Sequence, residues 1–199
     1  MNGTQKVRSA AETITRTVRL VGITDLMFDR YPGDNSSKLE PYQKLYYKPG
    51  TKEVVVPALN LMSFLSAHNT NSAPKRLRDK RKYKDIANAC LSFVTISPSL
   101  ISLLREGKPI TFGRFDGDTD PDTGIYIHRS VARLDKGIPN PKVRPVVPTP
   151  WELEFDLTLL ANKELKEQEI QNLIQEGGLA IGIGTFRGVF GKFMIDVWD

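Results

Sequence analysis

Four glycines, two phenylalanines, an arginine and a lysine crowd into Gly182-Ile-Gly-Thr-Phe-Arg-Gly-Val-Phe-Gly-Lys192, between two short apolar runs that read as strands, 179–183 and 191–198. Glycine permits close backbone approach and φ > 0 conformations that other residues resist, and successive N–H groups in such a loop can form an anion-binding concavity. Gly182, Gly184 and Gly188 would supply the backbone, Arg187 and Lys192 the cations, and Phe186 and Phe190 the aromatic faces for a phosphate-containing chain. The same glycines also suit a turn that only reverses the chain. Spacing excludes the common nucleotide loops: there is no G-x-G-x-x-G, Lys192 precedes Phe193 rather than Ser or Thr, and Lys-Phe-Met-Ile-Asp-Val-Trp alternates as a strand instead of opening a helix.

The second cluster is electrostatic. Residues 74–84, within a basic insertion over 69–84, hold Lys75, Arg76, Arg78, Lys80, Arg81, Lys82 and Lys84, seven of the 28 basic residues, with Asp79 as the one acid. The remainder of the chain is slightly acidic, so this segment carries the whole net charge of +5. So local an excess marks a footprint for a polyanion. A solvated, mobile loop is the other reading of the same run.

Groups suited to catalysis are few. His68, in Ala-His-Asn-Thr-Asn just ahead of the basic segment, is placed for an RNA-cleaving base, and equally for the end of a helix, where imidazolium meets terminal carbonyls. His128 alternates with Tyr126 and reads as a surface or cross-strand residue. The single Cys90 cannot form an internal disulfide and reads as a small buried hydrophobe. Asp116, Asp118, Asp120 and Asp122 stand at every second position of an acidic loop over 113–124, but Pro121 and Ile127 occupy the positions of the turn glycine and bidentate glutamate of an EF-hand. No nucleophile elbow is present. Neither a metal nor a cofactor is implied, and non-catalytic binding is the better reading.

The elements that must position these groups follow from periodicity. With 199 residues, 40% hydrophobic and 26% charged, the chain suits one soluble domain. No apolar run reaches the roughly 18 to 20 residues of a membrane span, and the first residues lack the apolar core of a signal peptide, which predicts a cytoplasmic protein. Residues 1–13 read as a flexible lead and Thr15–Ile23 as a half-buried strand. A long loop follows over Asp29–Tyr47, then a short strand over Glu53–Val56. Pro57 opens a helix to about Ala67 with Leu61, Phe64 and Leu65 on one face, and a second helix runs over Tyr83–Leu91. Strands are predicted over Phe93–Ile96, Ile125–Leu134 and Val143–Val147. The clearest strand has Trp151, Leu153, Phe155, Leu157 and Leu159 alternating with acids and Thr158. Asn162 is placed to cap a last helix striped by Leu165, Ile170, Leu173 and Ile174, which Gly177-Gly178 should end.

A β-α-β unit closing in a glycine loop with aromatic and basic residues resembles the C-terminal signature of the RAMP superfamily, the RRM-like proteins of CRISPR effector complexes. Gly182–Phe193 is similar to the family's glycine loop, Val18–Met27 to the first strand of effector backbone subunits, and Arg144–Phe155 to the lead into the last β-α-β unit. The chain is also similar to compact phage or prophage proteins. The resemblance implies an α+β, ferredoxin-like antiparallel sheet with helices on one face and long insertions. It implies single-stranded RNA, or single-stranded DNA, held along a basic groove by copies of the chain lying side by side, with the backbone gripped by cations and bases stacked on aromatics. The two aromatic motifs of a true RRM are absent. Two alternatives remain: a metal-independent endoribonuclease using His68, as some family members cut RNA with histidine, or a protein-interaction subunit whose loop only closes the fold. Some family members also cut target RNA with a loop aspartate, and 116–122 does not single one out.

Overall fold

Leu153, Phe155, Leu157 and Leu159 are buried, while Glu154 and Asp156 between them are exposed. A period of two with one apolar face builds a sheet around this strand. The computed structural model is described for residues 12–34, 38–66, 70–133, 137 and 139–199. Most of the predicted lead and the position of His68 lie outside these residues. Along the chain run β1 (Thr13–Gly22), β2 (Leu26–Met27), β3 (Val55–Pro57), α1 (Ala58–Leu65), α2 (Ala73–Leu77), α3 (Tyr83–Phe93), β4 (Val94–Ser97), β5 (Leu100–Arg105) and β6 (Lys108–Pro109). There follow β7 (Tyr126–Arg133), β8 (Pro139–Val147), β9 (Glu152–Leu160), α4 (Glu167–Ala180) and β10 (Phe193–Trp198).

The main sheet is antiparallel, in the order β10-β1-β9-β5-β3, with β4 also on β9 and β6 on β5. β4 and β5 act as two halves of one broken strand: Val94–Ser97 pairs with residues 156–159 of β9, and Leu103 and Leu104 pair with Leu153 and Glu152. Counting them once and setting aside the short β3 and β6 at the β5 edge, the order is fourth, first, third, second in a βαββαβ chain, the ferredoxin-like arrangement. A second, three-stranded sheet, β2-β8-β7, pairs β2 with the β7–β8 hairpin of the insertion between β5 and β9. The fold is therefore α+β with a large antiparallel sheet and helices, as the sequence implies.

The helices cover the apolar face. Phe64 of α1, Cys90 of α3, Ile170 and Leu173 of α4, and Leu20, Leu153 and Phe193 of the sheet belong to one buried cluster. Burial pushes the Cys90 thiol up to about 12, so it is inert at neutral pH. Trp151 is fully buried and donates through Nε1 to the Thr24 carbonyl at 2.8 Å. Its indole fills the space a Cβ on Gly22 would need, 2.2 Å from Cε2.

Two expectations fail around α4. Gly177-Gly178 does not end the helix, which runs on to Ala180, so there is no strand over 179–183. Both glycines serve close packing instead: a Cβ on Gly177 would lie 2.5 Å from Phe64 Cζ, and one on Gly178 2.5 Å from the Phe193 carbonyl oxygen. The Phe64 and Phe193 rings pack at 5.8 Å, which offsets the roughly 1 kcal/mol that a helical glycine costs. Asn162 accepts from the amides of Glu164 and Leu165, bracing the turn before α4, while the helix itself starts after Lys166.

Candidate nucleic-acid interface

The glycine loop follows α4 and crosses the ends of β1 and β2. Gly182, Gly184, Gly188 and Gly191 all have positive φ. Gly191 has no room for a side chain, because a Cβ there would lie 2.0 Å from the Ile183 carbonyl oxygen. The loop's amides largely hold the chain itself. Ile183, Thr185, Gly188 and Gly191 donate to the carbonyls of Gly191, Met27, Ile181 and Asp25, and the Lys192 amide donates to Thr24 Oγ1. What the loop offers outward is therefore mainly side chains.

Phe186 and Val189 are 55% and 59% exposed. Phe186 has φ +54, a left-handed conformation that is costly for a bulky residue and that projects the ring from the loop tip. It packs against Phe190 at 6.0 Å, and Phe190 meets His128 of β7 edge to face at 5.4 Å. A row of three rings results. His128, which reads in the sequence as an ordinary strand residue, joins the loop because the β7–β8 hairpin folds back beside it. Asp25 organises the junction: its carboxylate accepts from Tyr126 Oη at 2.9 Å and from the Thr149 amide at 2.9 Å, and its carbonyl accepts from Gly191. Burial and the Asp25 charge push the Tyr126 phenol up to about 12, so it stays a donor.

Arg187, next to Phe186 in the chain, is half-buried. Its Nε donates to the Gly184 carbonyl at 3.2 Å and Nη1 to the Asn71 carbonyl at 3.4 Å. Among the described residues no carboxylate pairs with it, and burial lowers its pKa from the usual guanidinium value. A desolvated guanidinium held only by carbonyl dipoles is a ready partner for an outside anion.

The bond to Asn71 also brings the two sequence clusters together, since Asn71 lies two residues before α2. Lys75 and Arg76 on α2 are exposed, as are Lys80, Arg81, Lys82 and Lys84 beyond it. Arg78 differs from them: its guanidinium donates to Glu169 and Glu176 of α4, each at 2.8 Å, and fastens the basic segment to the core. Lys192 is half-buried, and both Ile23 and Thr24 donate to its carbonyl.

The opposite face of the sheet is of another character. Thr15 pairs with Thr158, Thr17 with Asp156, and Arg19 with Glu154 and Asp196. Among the described residues, Glu152, Glu154, Asp156 and Asp196 make this face acidic, with no aromatic ring to stack a base.

In the acidic loop, Asp120 is fully buried and accepts from the Gly113 and Asp122 amides and from Thr123 Oγ1 at 2.7 Å. Burial alone would raise its carboxyl, but these donors outweigh it and hold the pKa below the ordinary value. Asp118 pairs with Arg129 at 2.7 Å. Among the described residues no three His, Cys, Asp or Glu side chains converge as metal ligands, and no helix is long and apolar enough to cross a membrane.

No family model and no curated protein matches the chain. Among solved structures, a chain of the Type III-B Cmr-beta complex bound to cognate target RNA, determined by cryo-electron microscopy, superposes with a TM-score of 0.46 and 10% identity. The superposition covers 94% of this chain and 60% of that one.

Proposed function

We propose that this chain binds single-stranded nucleic acid, RNA in preference to DNA, without cleaving it, and that copies assemble side by side along the strand. The observation that carries the reading is Arg187, a half-buried cation with no carboxylate partner among the described residues, which sits in the same loop as Phe186 and Phe190 of the Phe186–Phe190–His128 row. A phosphate on Arg187 would bring the adjoining bases to the rings, the pairing of cation and stacking surface that single-strand binders use. The six exposed cations of 75–84 extend the positive field from the same junction. The likeness of Gly182–Phe193 to the RAMP glycine loop favours RNA and a multi-copy assembly. The acidic open face of the sheet directs the strand to the loop side.

Fluorescence anisotropy with a labelled oligouridylate tests this. Arg187→Ala should weaken binding at least about tenfold, as expected for a lost charge-assisted bond. Phe186→Ala should cost about 1 to 3 kcal/mol of affinity. Unchanged affinity in both variants would remove the loop as the site.

A further inference from the structure

His128 stands directly across from Arg144 in the β7–β8 register, and Ser130, two residues further on the same face, stands across from Lys142. Arg144 Nε donates to Asp29 at 2.7 Å, and Lys44 Nζ lies 3.5 Å from the same carboxylate while donating to the Val143 carbonyl. Asp29, Lys44 and Lys142 line a groove of about 690 Å³ between the segment after β2 and the hairpin. The row of rings is thus joined to the groove lining through the His128–Arg144 cross-strand pair and the Arg144–Asp29 ion pair.

The groove's charged lining is four cations, Arg30, Lys38, Lys44 and Lys142, against two carboxylates, Asp29 and Asp34. Asp29 is engaged by Arg144 and Lys44. Among the described residues Arg30, Lys38 and Lys142 form no ion pair, and Tyr31 beside them is 61% exposed. Cations in excess, an aromatic face and continuity with a stacking row fit a phosphodiester chain, which needs charge along its backbone and a surface for its bases.

We propose that the strand stacked on Phe186, Phe190 and His128 continues along the hairpin into this groove, where Arg30, Lys38 and Lys142 hold its phosphates. The inference rests on the single-strand-binding reading and adds a second binding region, remote in sequence from 75–84.

The test compares oligouridylates of about 4 and about 16 nucleotides, a range typical of single-strand sites, on wild type and on the triple variant Arg30→Gln, Lys38→Gln, Lys142→Gln. The variant should bind the longer strand at least about tenfold more weakly, with a salt dependence shallower by about one unit for each phosphate that is no longer neutralised. Binding of the short strand should be unchanged, which also reports that the variant is folded. Equal affinity of wild type and variant for the longer strand would overturn the groove while leaving the glycine-loop site standing. Failure of wild type to bind either strand would remove both. Photo-crosslinking of wild type with a 4-thiouridine strand gives an independent measure. Adducts at Tyr31 or Lys38 support the groove, and adducts confined to the glycine loop and residues 75–84 contradict it.

Discussion

At the scale of the residue, three side chains of similar chemistry do different work. Arg187 is held by the Gly184 and Asn71 carbonyls, Arg78 is fastened by Glu169 and Glu176, and Arg144 is fastened by Asp29. Arg78→Ala should lower stability by about 1 kcal/mol, the scale of a partly exposed ion-pair network, and leave oligonucleotide affinity within about twofold once folded. Thermal unfolding and anisotropy on the same variant check this. Asp120 sets a pH dependence. Its pKa is lowered in the folded chain, so its contribution is present above the unfolded value of about 3.9 and is lost as pH falls through the lower folded one. Asp120→Asn should lower the melting temperature at pH 7, and the gap to wild type should close as pH falls from the unfolded value through the lower folded one. A gap that persists in acid would show that the carboxylate charge is not the stabilising feature. Phe186, Arg187 and Phe190 were legible from their types and spacing. His128 was not, because it meets Phe190 only through tertiary packing of β7 beside the glycine loop, and a strand with alternating Tyr126 and His128 carries no local mark of that contact.

At the scale of the element, the loop's glycines divide by what surrounds them. A Cβ on Gly188 meets nothing within 4 Å, whereas one on Gly191 meets backbone at 2.0 Å. Gly188→Ala should therefore cost about 1 to 2 kcal/mol, the penalty of the left-handed conformation alone. Gly191→Ala should cost more than about 3 kcal/mol, since the two loop segments at Ile183 and Gly191 must separate. Denaturant unfolding distinguishes them, and equal losses would contradict the packing of Gly191 against Ile183. Strong alternation made β9 readable, and Leu61, Phe64 and Leu65 made α1 readable. β5 was missed because Leu100, Ile101, Leu103 and Leu104 put apolar residues at both parities, a pattern shared by strand and helix. Gly177-Gly178 misled for a tertiary reason: glycine there admits Phe64 and Phe193 rather than terminating the helix.

At the scale of the whole molecule, charge is segregated. The basic segment and the glycine loop meet at Asn71, and the open sheet face carries Glu152, Glu154, Asp156 and Asp196. Reversing Lys80, Arg81 and Lys82 to Glu should weaken single-strand binding and flatten its salt dependence, whereas reversing acids on the open face should not weaken it. The most direct measurement is made on the wild-type protein purified without nuclease: absorbance at 260 against 280 nm, with particle size from light scattering. A large particle rich in single-stranded nucleic acid, releasing it at high salt, is the predicted result. A nucleic-acid-free monomer that ignores single strands even at low salt would contradict it.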